Sequence, residues 1–453
     1  MTKINKPFQA AGSRAFMTVW VGQVISFIGS GLTSFALGVH VYQTTGSITC
    51  FALISLFAVL PGILLGPLAG TLIDRWDRRL VMIVSDVGAG LSSLAVFLIL
   101  LTGRLELWQI YLSVFASGIF SALRGTALSA ATTQLIPKEH YGRANGMLEI
   151  VYVGQVLISP LLAGALIGTL GLKGIILIDF ATFLFALLTL LAIRIPRPAV
   201  TADGLAGKGS LVHEAAFGWK YITARSGLFG LMILFAVANF TTEMSVVLFT
   251  PLFLSFATPA ALGTALSLAG VGYLAGGILM SVWGGGKRRI NVMIVAMLVL
   301  GVFMGLIGLR TSIPFIIVCI FMTAFCSPII NSASQAIWQS KVAPDVQGRV
   351  FSIKRMIVLA TPLIAYLLAG PLADKVFEPL LKGQGGLTGS IGRIIGVGPG
   401  RGIALMLISM GVILVLVTVV GYFYPHLRQV ESELPDGIVE DKIYSIRPDI
   451  VTG

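Results

Sequence analysis

Long apolar stretches recur along the whole chain, and short loops rich in polar residues, charge or glycine separate them. A helix needs about 20 mostly apolar residues to cross the hydrocarbon core of a bilayer. Stretches of this kind lie at residues 15–42, 47–73, 80–102, 107–135, 144–169, 174–195, 227–256, 261–284, 290–310, 312–340, 350–372 and 402–425. The pattern therefore predicts an all-α polytopic membrane protein with twelve transmembrane helices, here called spans one to twelve.

The amino-acid composition agrees with a lipid environment. Apolar residues make up 56% of the 453 residues, charged residues make up 11%, and the mean hydropathy is +0.94. A water-soluble domain carries about a quarter of its residues as charged ones. The three cysteines lie in apolar runs without metal-ligand spacing. We therefore expect the lipid bilayer as a partner, and neither a metal nor a cofactor.

The distribution of basic residues predicts the orientation in the membrane. With the N-terminus inside, 23 of the 31 Lys and Arg residues fall on the cytoplasmic side. Cytoplasmic loops carry such an excess in membrane proteins generally. Both termini are thus predicted to be cytoplasmic, in a bacterial inner (plasma) membrane. The net charge of +12 follows from the same bias, so no nucleic-acid partner is needed to explain it.

The chain divides into two halves that resemble each other. A cytoplasmic linker at 196–226 separates an N-terminal six-helix bundle (1–195) from a C-terminal one (227–426), and a cytoplasmic tail follows at 427–453. The end of the linker is either an amphipathic surface helix or a flexible segment. Pro137 precedes Gly142–Arg143 after span four, and Pro344 precedes Gly348–Arg349 after span ten, at an offset of 206 residues between the Gly-Arg pairs. Repeated halves of this kind are a transporter architecture.

The loop after span two carries a more specific pattern. Gly, three residues, Asp, a basic residue, two residues and two basic residues occur as Gly70, Asp74, Arg75, Arg78 and Arg79. This resembles the signature of the major facilitator superfamily, with Asp77 where that family usually has Gly. The resemblance implies two pseudo-symmetric bundles around a central cavity, and a cytoplasmic gate in which Asp74 caps span eleven. A merely positive loop would explain the arginines but not Gly70 or Asp74.

Span five resembles the antiporter signature of drug-exporting members of that superfamily. The matching residues are Gly146, Gly154, Pro160 and Gly164, while Ser159 and Ala163 stand where the signature has glycine. Small residues and a proline make a helix that bends and packs closely. Ordinary glycine-rich helix packing is the alternative interpretation. The long outer loop at 373–401 also resembles exporters of the macrolide-efflux and siderophore-efflux branch.

Polar residues at helical spacing mark four spans as candidates for the wall of a substrate cavity. These are the first and fourth spans of each half, which line the transport pathway in the superfamily. The candidate residues are Gln23, Phe27, Ser30, Ser34, Ser121, Asn239, Thr242, Asn331, Gln335 and Trp338. Polar groups next to aromatic ones favour a sizeable amphipathic small molecule as substrate.

Two charged residues lie about halfway along their spans, where charges are costly and usually functional. Glu243 in span seven is the candidate proton carrier. Arg124 in span four resembles the membrane arginine of the proton antiporters, which implies that it controls protonation of that carboxylate or binds an anionic group. A structural ion pair or a wetted cavity wall is the alternative. Asp86 and Asp179 are expected to be interfacial or paired with nearby basic residues.

These observations predict a monomeric secondary active transporter. It would export an amphipathic small molecule (a drug, a macrolide or a siderophore-like product) in exchange for protons, by alternating access. A lysophospholipid flippase or a nutrient importer of the same superfamily is the alternative. The four histidines, at positions 40, 140, 213 and 426, are scattered over different faces, so the pattern does not indicate an enzyme.

Overall fold

Helices form nearly all of the described chain. A computed structural model describes residues 6–75, 77–136, 147–148, 151, 154–193, 219–284, 286, 288–342, 347–382 and 385–433. The long helices of the first half are α1 (Lys6–Thr45), α2 (Ile48–Arg75), α3 (Arg78–Leu101), α4 (Leu107–Leu135) and the two arms of Ser159–Leu191, α5 (159–170) and α6 (172–191). Those of the second half are α7 (Ser226–Leu254), α8 (Pro259–Trp283), α9 (Arg289–Ile307), α10 (Ile313–Lys341), α11 (Gln347–Leu372) and α12 (Arg401–Phe423).

Shorter elements flank these helices. One π-helical turn, Gly154–Ile158, leads into α5, and a second, Ala373–Phe377, continues α11. Four-residue helices lie at Glu378–Leu381, Gly392–Ile395, Pro425–Arg428 and Val430–Glu433. Within the described residues we find no β-strand.

A single glycine creates the turn between α5 and α6. Gly171 has φ 62° and ψ −175°, a conformation that residues with a side chain rarely adopt. Among the described residues, eleven helical stretches are long and apolar enough to cross a membrane, and Ser159–Leu191 is counted once among them. Since Gly171 divides that stretch into two arms, the described residues agree approximately with the predicted count of twelve membrane helices.

The two halves repeat the same helix pairings. In the first half α1 packs on α5 and α6, α2 and α3 each pack on α4, and α3 packs on α6. In the second half α7 packs on α11 and α12, α8 and α9 each pack on α10, and α9 packs on α12. Each pairing is thus repeated six helices later. The predicted fold of two pseudo-symmetric six-helix bundles is confirmed.

Two pairs of helices make most of the contact between the bundles, α2 with α11 and α5 with α8. We name the two ends of the molecule after the predicted orientation, with Arg14 at the cytoplasmic end and Thr45 at the outer end of α1. A Cβ atom built on Gly164 would lie 2.6 Å from the carbonyl oxygen of Pro259, and one on Gly263 would collide with the carbonyl of Pro160. The backbones of α5 and α8 are therefore in direct contact in the outer half of the protein.

Candidate functional site

A cavity of about 690 Å³ lies inside the C-terminal bundle. Helices α7 to α11 form most of its wall, and the N-terminal bundle contributes Leu157 and Pro160. The surface is mainly apolar and aromatic, with Phe235, Phe249 and Tyr273 among the lining residues. Pockets of about 300–1,000 Å³ with such walls hold drug-sized molecules.

Glu243 is the only charged side chain among the described residues that line this cavity. It accepts a hydrogen bond of 2.7 Å from the hydroxyl of Tyr366 on α11. Asn239 lies beside it on α7, because residues four positions apart share one face of a helix, and Thr242 also lines the cavity. Asn331 of α10 also lines the cavity. One carboxyl group is thus surrounded by uncharged polar groups and aromatic rings.

Arg124 has its partner within the N-terminal bundle. Its Nη1 lies 3.2 Å from Oδ1 of Asp86 on α3 and donates a hydrogen bond of 3.1 Å to Oγ of Ser26. Gln23 donates to the other carboxylate oxygen at 3.0 Å, and the ring of Phe27 lies 3.9 Å from the guanidinium carbon. Asp86 was expected to be either interfacial or paired with a nearby basic residue. The structure shows the pairing, and both partners are buried within the bundle.

The expectation for Asp179 is wrong, since it is neither interfacial nor in an ion pair with a described basic residue. Its side chain is 4% exposed. Oδ2 accepts a hydrogen bond of 2.8 Å from Ser93 on α3, and Oδ1 accepts one of 3.4 Å from Ser30 on α1. The hydroxyls come from neighbouring helices whose contacts with α6 cannot be read from the sequence of α6.

The remaining candidates are not among the residues that line this cavity. Ser34 and Ser121 are exposed, and Trp338 is fully buried in the core of the C-terminal bundle. Gln335 accepts a hydrogen bond of 2.9 Å from Nζ of Lys354 on α11. Lys354 is one of the 23 basic residues counted on the cytoplasmic side. Its position inside span eleven is the signal for a partly buried lysine.

The predicted cytoplasmic gate is described only in part. Gly70, Asp74 and Arg75 belong to α2, but their side chains lie outside the described part of the chain. Arg78 opens α3. Arg79 donates to the carbonyls of Leu190 at 3.0 Å and Leu191 at 2.9 Å, at the end of α6.

The residue that departs from the family pattern of this loop has a local structural purpose. Asp77 accepts hydrogen bonds from the backbone N–H groups of Arg79 at 2.9 Å and Leu80 at 3.4 Å. These N–H groups have no partner within the first turn of α3. Asp77 is therefore the N-cap of α3, which a glycine could fill only less well.

The antiporter-like segment is a distorted helix at the interface of the bundles. Gly146 lies outside the described residues, and Gly154 begins the π turn that precedes Pro160. Proline has no N–H to donate to the carbonyl four residues earlier, so the regular helix is interrupted here. The carbonyl that loses this partner is that of residue 156, and the next carbonyl, of Leu157, accepts a hydrogen bond from Oγ of Ser267 on α8.

At the outer end a carboxylate joins the two bundles. Asp374, just after α11, accepts hydrogen bonds from the N–H groups of Ile48 at 3.1 Å and Thr49 at 2.8 Å. It also accepts bonds from the hydroxyls of Ser47 at 2.9 Å and Thr49 at 2.7 Å. The start of a helix has unpaired N–H groups and attracts negative charge. Asp374 therefore caps α2 from the opposite bundle and closes the outer end.

Known proteins resemble the chain over most of its length. The sequence profile described as Major Facilitator Superfamily matches residues 19–353. Macrolide efflux protein A of Streptococcus pyogenes is 27% identical over 366 residues, covering 80% of this chain and 90% of that protein. Multidrug efflux pump Tap of Mycolicibacterium fortuitum is 26% identical over 360 residues, covering 76% of this chain and 86% of that protein.

Solved structures share the fold. A bacterial homologue of the human lysosomal transporter Spinster, inward-facing and unoccupied, matches with a TM-score of 0.68 at 15% identity, over 94% of this chain and 99% of that one. A bacterial homologue of the iron transporter ferroportin, inward-facing, matches with a TM-score of 0.64 at 15% identity, over 90% and 98%. These identities support a statement about fold alone. Because the family profile spans most of the chain, the protein is a multi-pass membrane transporter that belongs to the Major Facilitator Superfamily.

Proposed function

We propose that the protein exports an amphipathic, positively charged small molecule of the macrolide type in exchange for protons. It would do so as a monomer in a bacterial inner membrane, with both termini in the cytoplasm. The observation that carries the proposal is the single carboxyl group, Glu243, in an apolar and aromatic cavity of about 690 Å³. The names of the efflux relatives support the same substrate class.

The chemistry of the cavity favours a cation over an anion. A carboxylate attracts a charged amine strongly where water is excluded, and aromatic faces stabilise cations further. The same carboxylate repels the acidic groups of an anionic siderophore. Among the substrates considered, an amine-bearing drug therefore fits best.

Exchange of the drug for protons follows if both compete for the carboxyl group of Glu243. A buried carboxyl group is stable either protonated or paired with a cation, and bare ionisation is unfavourable. Glu243 would release its proton when the drug binds, and would take up a proton when the drug leaves on the outer side. The change from inward-facing to outward-facing would then carry the drug, and the return change would carry the proton.

The test uses everted membrane vesicles with an acidic interior and a pH-sensitive dye. Erythromycin, a macrolide whose amino sugar is charged at neutral pH, should discharge the pH gradient in vesicles that contain the wild-type protein. Glu243→Gln should abolish the discharge, because glutamine cannot exchange a proton. Glu433→Gln, the same substitution at an exposed pair with His426, is the matched control and should leave it unchanged.

Three outcomes would contradict the proposal. If Glu243→Gln discharges the gradient as the wild type does, Glu243 is not the proton carrier. If cells expressing the protein accumulate more erythromycin than cells without it, the protein is an importer. If lysophospholipid, rather than erythromycin, crosses the bilayer in a protein-dependent manner, the protein is a flippase.

A further inference from the structure

The first observation is a buried carboxyl group outside the substrate cavity. Asp179 on α6 has hydroxyl neighbours from two other helices, Ser30 and Ser93, and the hydroxyl of Thr33 also faces it. The charged group that acts on it is Arg124 on α4, which is paired with Asp86 on α3.

Hydroxyl groups alone make a poor environment for an ionised carboxylate. Transfer of an unpaired charge out of water is far more costly than transfer of a neutral polar group. A protonated carboxyl has one O–H donor and remaining acceptor capacity, so it can pair with hydroxyls in both directions. The charge of Arg124 reaches Asp179 but is already neutralised by Asp86. The surroundings of Asp179 therefore suit a bound proton in this outer-closed arrangement.

A column of buried polar groups leads from Asp179 towards the cytoplasmic end. Gln23, Ser26, Ser30 and Thr33 follow one another at helical spacing on α1, over a length of about 15 Å. Within the described residues, four buried polar atoms in or near this column make no hydrogen bond: Oε1 of Gln23, Oγ1 of Thr33, Oγ of Ser85 and Nε of Arg124. Buried polar atoms without a partner are unfavourable, and in native proteins they frequently mark functional positions. Water bound to these atoms, together with the hydroxyls of Ser26, Ser30 and Thr33, would provide the path for a proton along the column.

We propose that Asp179 is a second proton-binding residue of the transport cycle, joined to the Asp86–Arg124 pair by the polar column on α1. The inference rests on the proposed function of proton-driven export. Glu243 would exchange one proton for the drug inside the cavity, and Asp179 would carry another through the N-terminal bundle. Two protons would then move against one monovalent cation, so each cycle transfers net charge across the membrane.

The test measures the charge moved by the purified protein in proteoliposomes. A potassium diffusion potential set with valinomycin should change the rate of erythromycin–proton exchange by the wild type. It should accelerate the exchange when its sign favours the net charge movement and slow the exchange when its sign is reversed. Asp179→Asn should reduce the ratio of protons to erythromycin from two to one and make the rate insensitive to the potential. Asp179→Glu should restore both, because the carboxyl group is returned to nearly the same place.

A second measurement needs no transport and separates this inference from the proposed function. The infrared C=O stretching band of protonated carboxylic acids should decrease with rising pH in the wild type and should lose one component in Asp179→Asn. Unchanged spectra and unchanged stoichiometry in Asp179→Asn would overturn the inference even if erythromycin is exported. A sodium gradient that replaces the proton gradient as the driving force would also overturn it.

The second observation is a sequence repeat at opposite ends of the paired helices α2 and α11. Gly70, three residues, Asp74 and Arg75 end α2 at the cytoplasmic end. Gly370, three residues, Asp374 and Lys375 end α11 at the outer end. Any side chain at Gly370 would collide with the backbone of Thr49, so α11 touches the first turn of α2 directly.

We infer that α2 and α11 carry two equivalent latches that open in turn. Asp374 caps the start of α2 when the outer end is closed. At the other end, the family resemblance already implies that Asp74 caps the start of α11 when the cytoplasmic end is closed, and the new element is its counterpart Asp374. Each helix thus both provides a carboxylate and receives one, and the transporter alternates between the two bonds.

Cys50 offers a native reporter for the outer latch, because it lies next to Thr49 and is only partly buried. In a background with Cys319→Ala and Cys326→Ala it is the single cysteine. Asp374→Ala should speed its labelling by a membrane-impermeant maleimide from outside by about five- to thirtyfold, the usual effect of losing a helix cap. Asp74→Ala should slow the labelling, and Lys375→Ala is the control that should leave the rate unchanged.

The opposite signs distinguish a latch from general loosening of the fold. A destabilised protein would expose Cys50 in both the Asp374→Ala and the Asp74→Ala variants. The inference is overturned if both substitutions change the labelling rate in the same direction, or if neither changes it. Because labelling needs no substrate, the result does not depend on the proposed export of macrolides.

Discussion

The guanidinium of Arg124 lies 3.2 Å from the carboxylate of Asp86, and the two side chains are 3% and 0% exposed. Separating the two ions would be unfavourable, because each would then be a buried charge without a counter-ion inside the bundle. Replacing both partners by apolar residues of similar volume is often neutral or stabilising, whereas removing one is strongly destabilising. The pair therefore makes the N-terminal bundle sensitive to single substitutions.

The first prediction concerns this pair. Asp86→Leu should lower the free energy of unfolding by about 3–5 kcal/mol, because Arg124 is left buried without a counter-ion. The double variant Asp86→Leu/Arg124→Leu should recover most of the stability without recovering transport. Thermal unfolding in detergent and erythromycin efflux measure the two effects. Equal instability of the single and double variants would refute this account of the pair.

The second prediction concerns the contact of α5 with α8. Gly164→Ala should abolish efflux, because the new methyl group would lie 2.6 Å from the carbonyl oxygen of Pro259 and push the helices apart. Gly168→Ala is the matched control one turn further along α5, where an added Cβ has no neighbour within 4 Å. It should retain efflux and gain up to about 1 kcal/mol of helix stability. Similar efflux by the two variants would show that the close contact is dispensable.

The third prediction concerns the π turn before α5. Pro160→Ala restores the N–H that a regular helix needs, so the turn should relax and the carbonyl of Leu157 should no longer be available to Ser267. We expect higher thermal stability together with a lower rate of efflux. Ser267→Ala removes the same hydrogen bond from the other side and should lower efflux without the gain in stability. A Pro160→Ala variant with wild-type efflux would contradict a role of the distortion in transport.

The fourth prediction concerns the orientation of the cavity carboxylate. Tyr366→Phe removes the hydroxyl that donates to Glu243 at 2.7 Å. The apparent KM for erythromycin should rise about three- to tenfold, since a typical hydrogen bond contributes about 1 kcal/mol. The rate at saturating drug should change little. Tyr111→Phe, which removes a bond of 3.1 Å to the carbonyl of Cys50 outside the cavity, should leave the KM unchanged.

The architecture was accessible from the sequence, because crossing a bilayer imposes a minimum length of apolar residues on every span. The position of Glu243 in span seven likewise indicated an intramembrane charge, and the structure puts it on a cavity wall. Asp179 shows where such reasoning ends. Its depth in the protein depends on Ser30 and Ser93 from other helices, and no pattern within α6 records which neighbours it meets.

Two residues were missed for related reasons. Asp374 looks like an ordinary loop residue until α2 of the other bundle is placed beside it, 325 positions away in the sequence. Lys354 was counted among the basic residues that set orientation, because composition does not distinguish a lysine at the surface from one bonded to Gln335 inside the bundle. In both cases the missing information was the contact between distant segments.

Although the cavity belongs to the C-terminal bundle, part of its wall, at Leu157 and Pro160, comes from the N-terminal one. A molecule bound there rests against both moving bodies at once. Any rocking of one bundle over the other must reshape the space that the molecule occupies. The affinity of the cavity for that molecule therefore changes through the cycle. A ligand that binds one shape much more tightly than the other shifts the transporter towards that shape and holds it there. Inhibitors could therefore be sought among ligands that fit this shared wall in only one of the two arrangements.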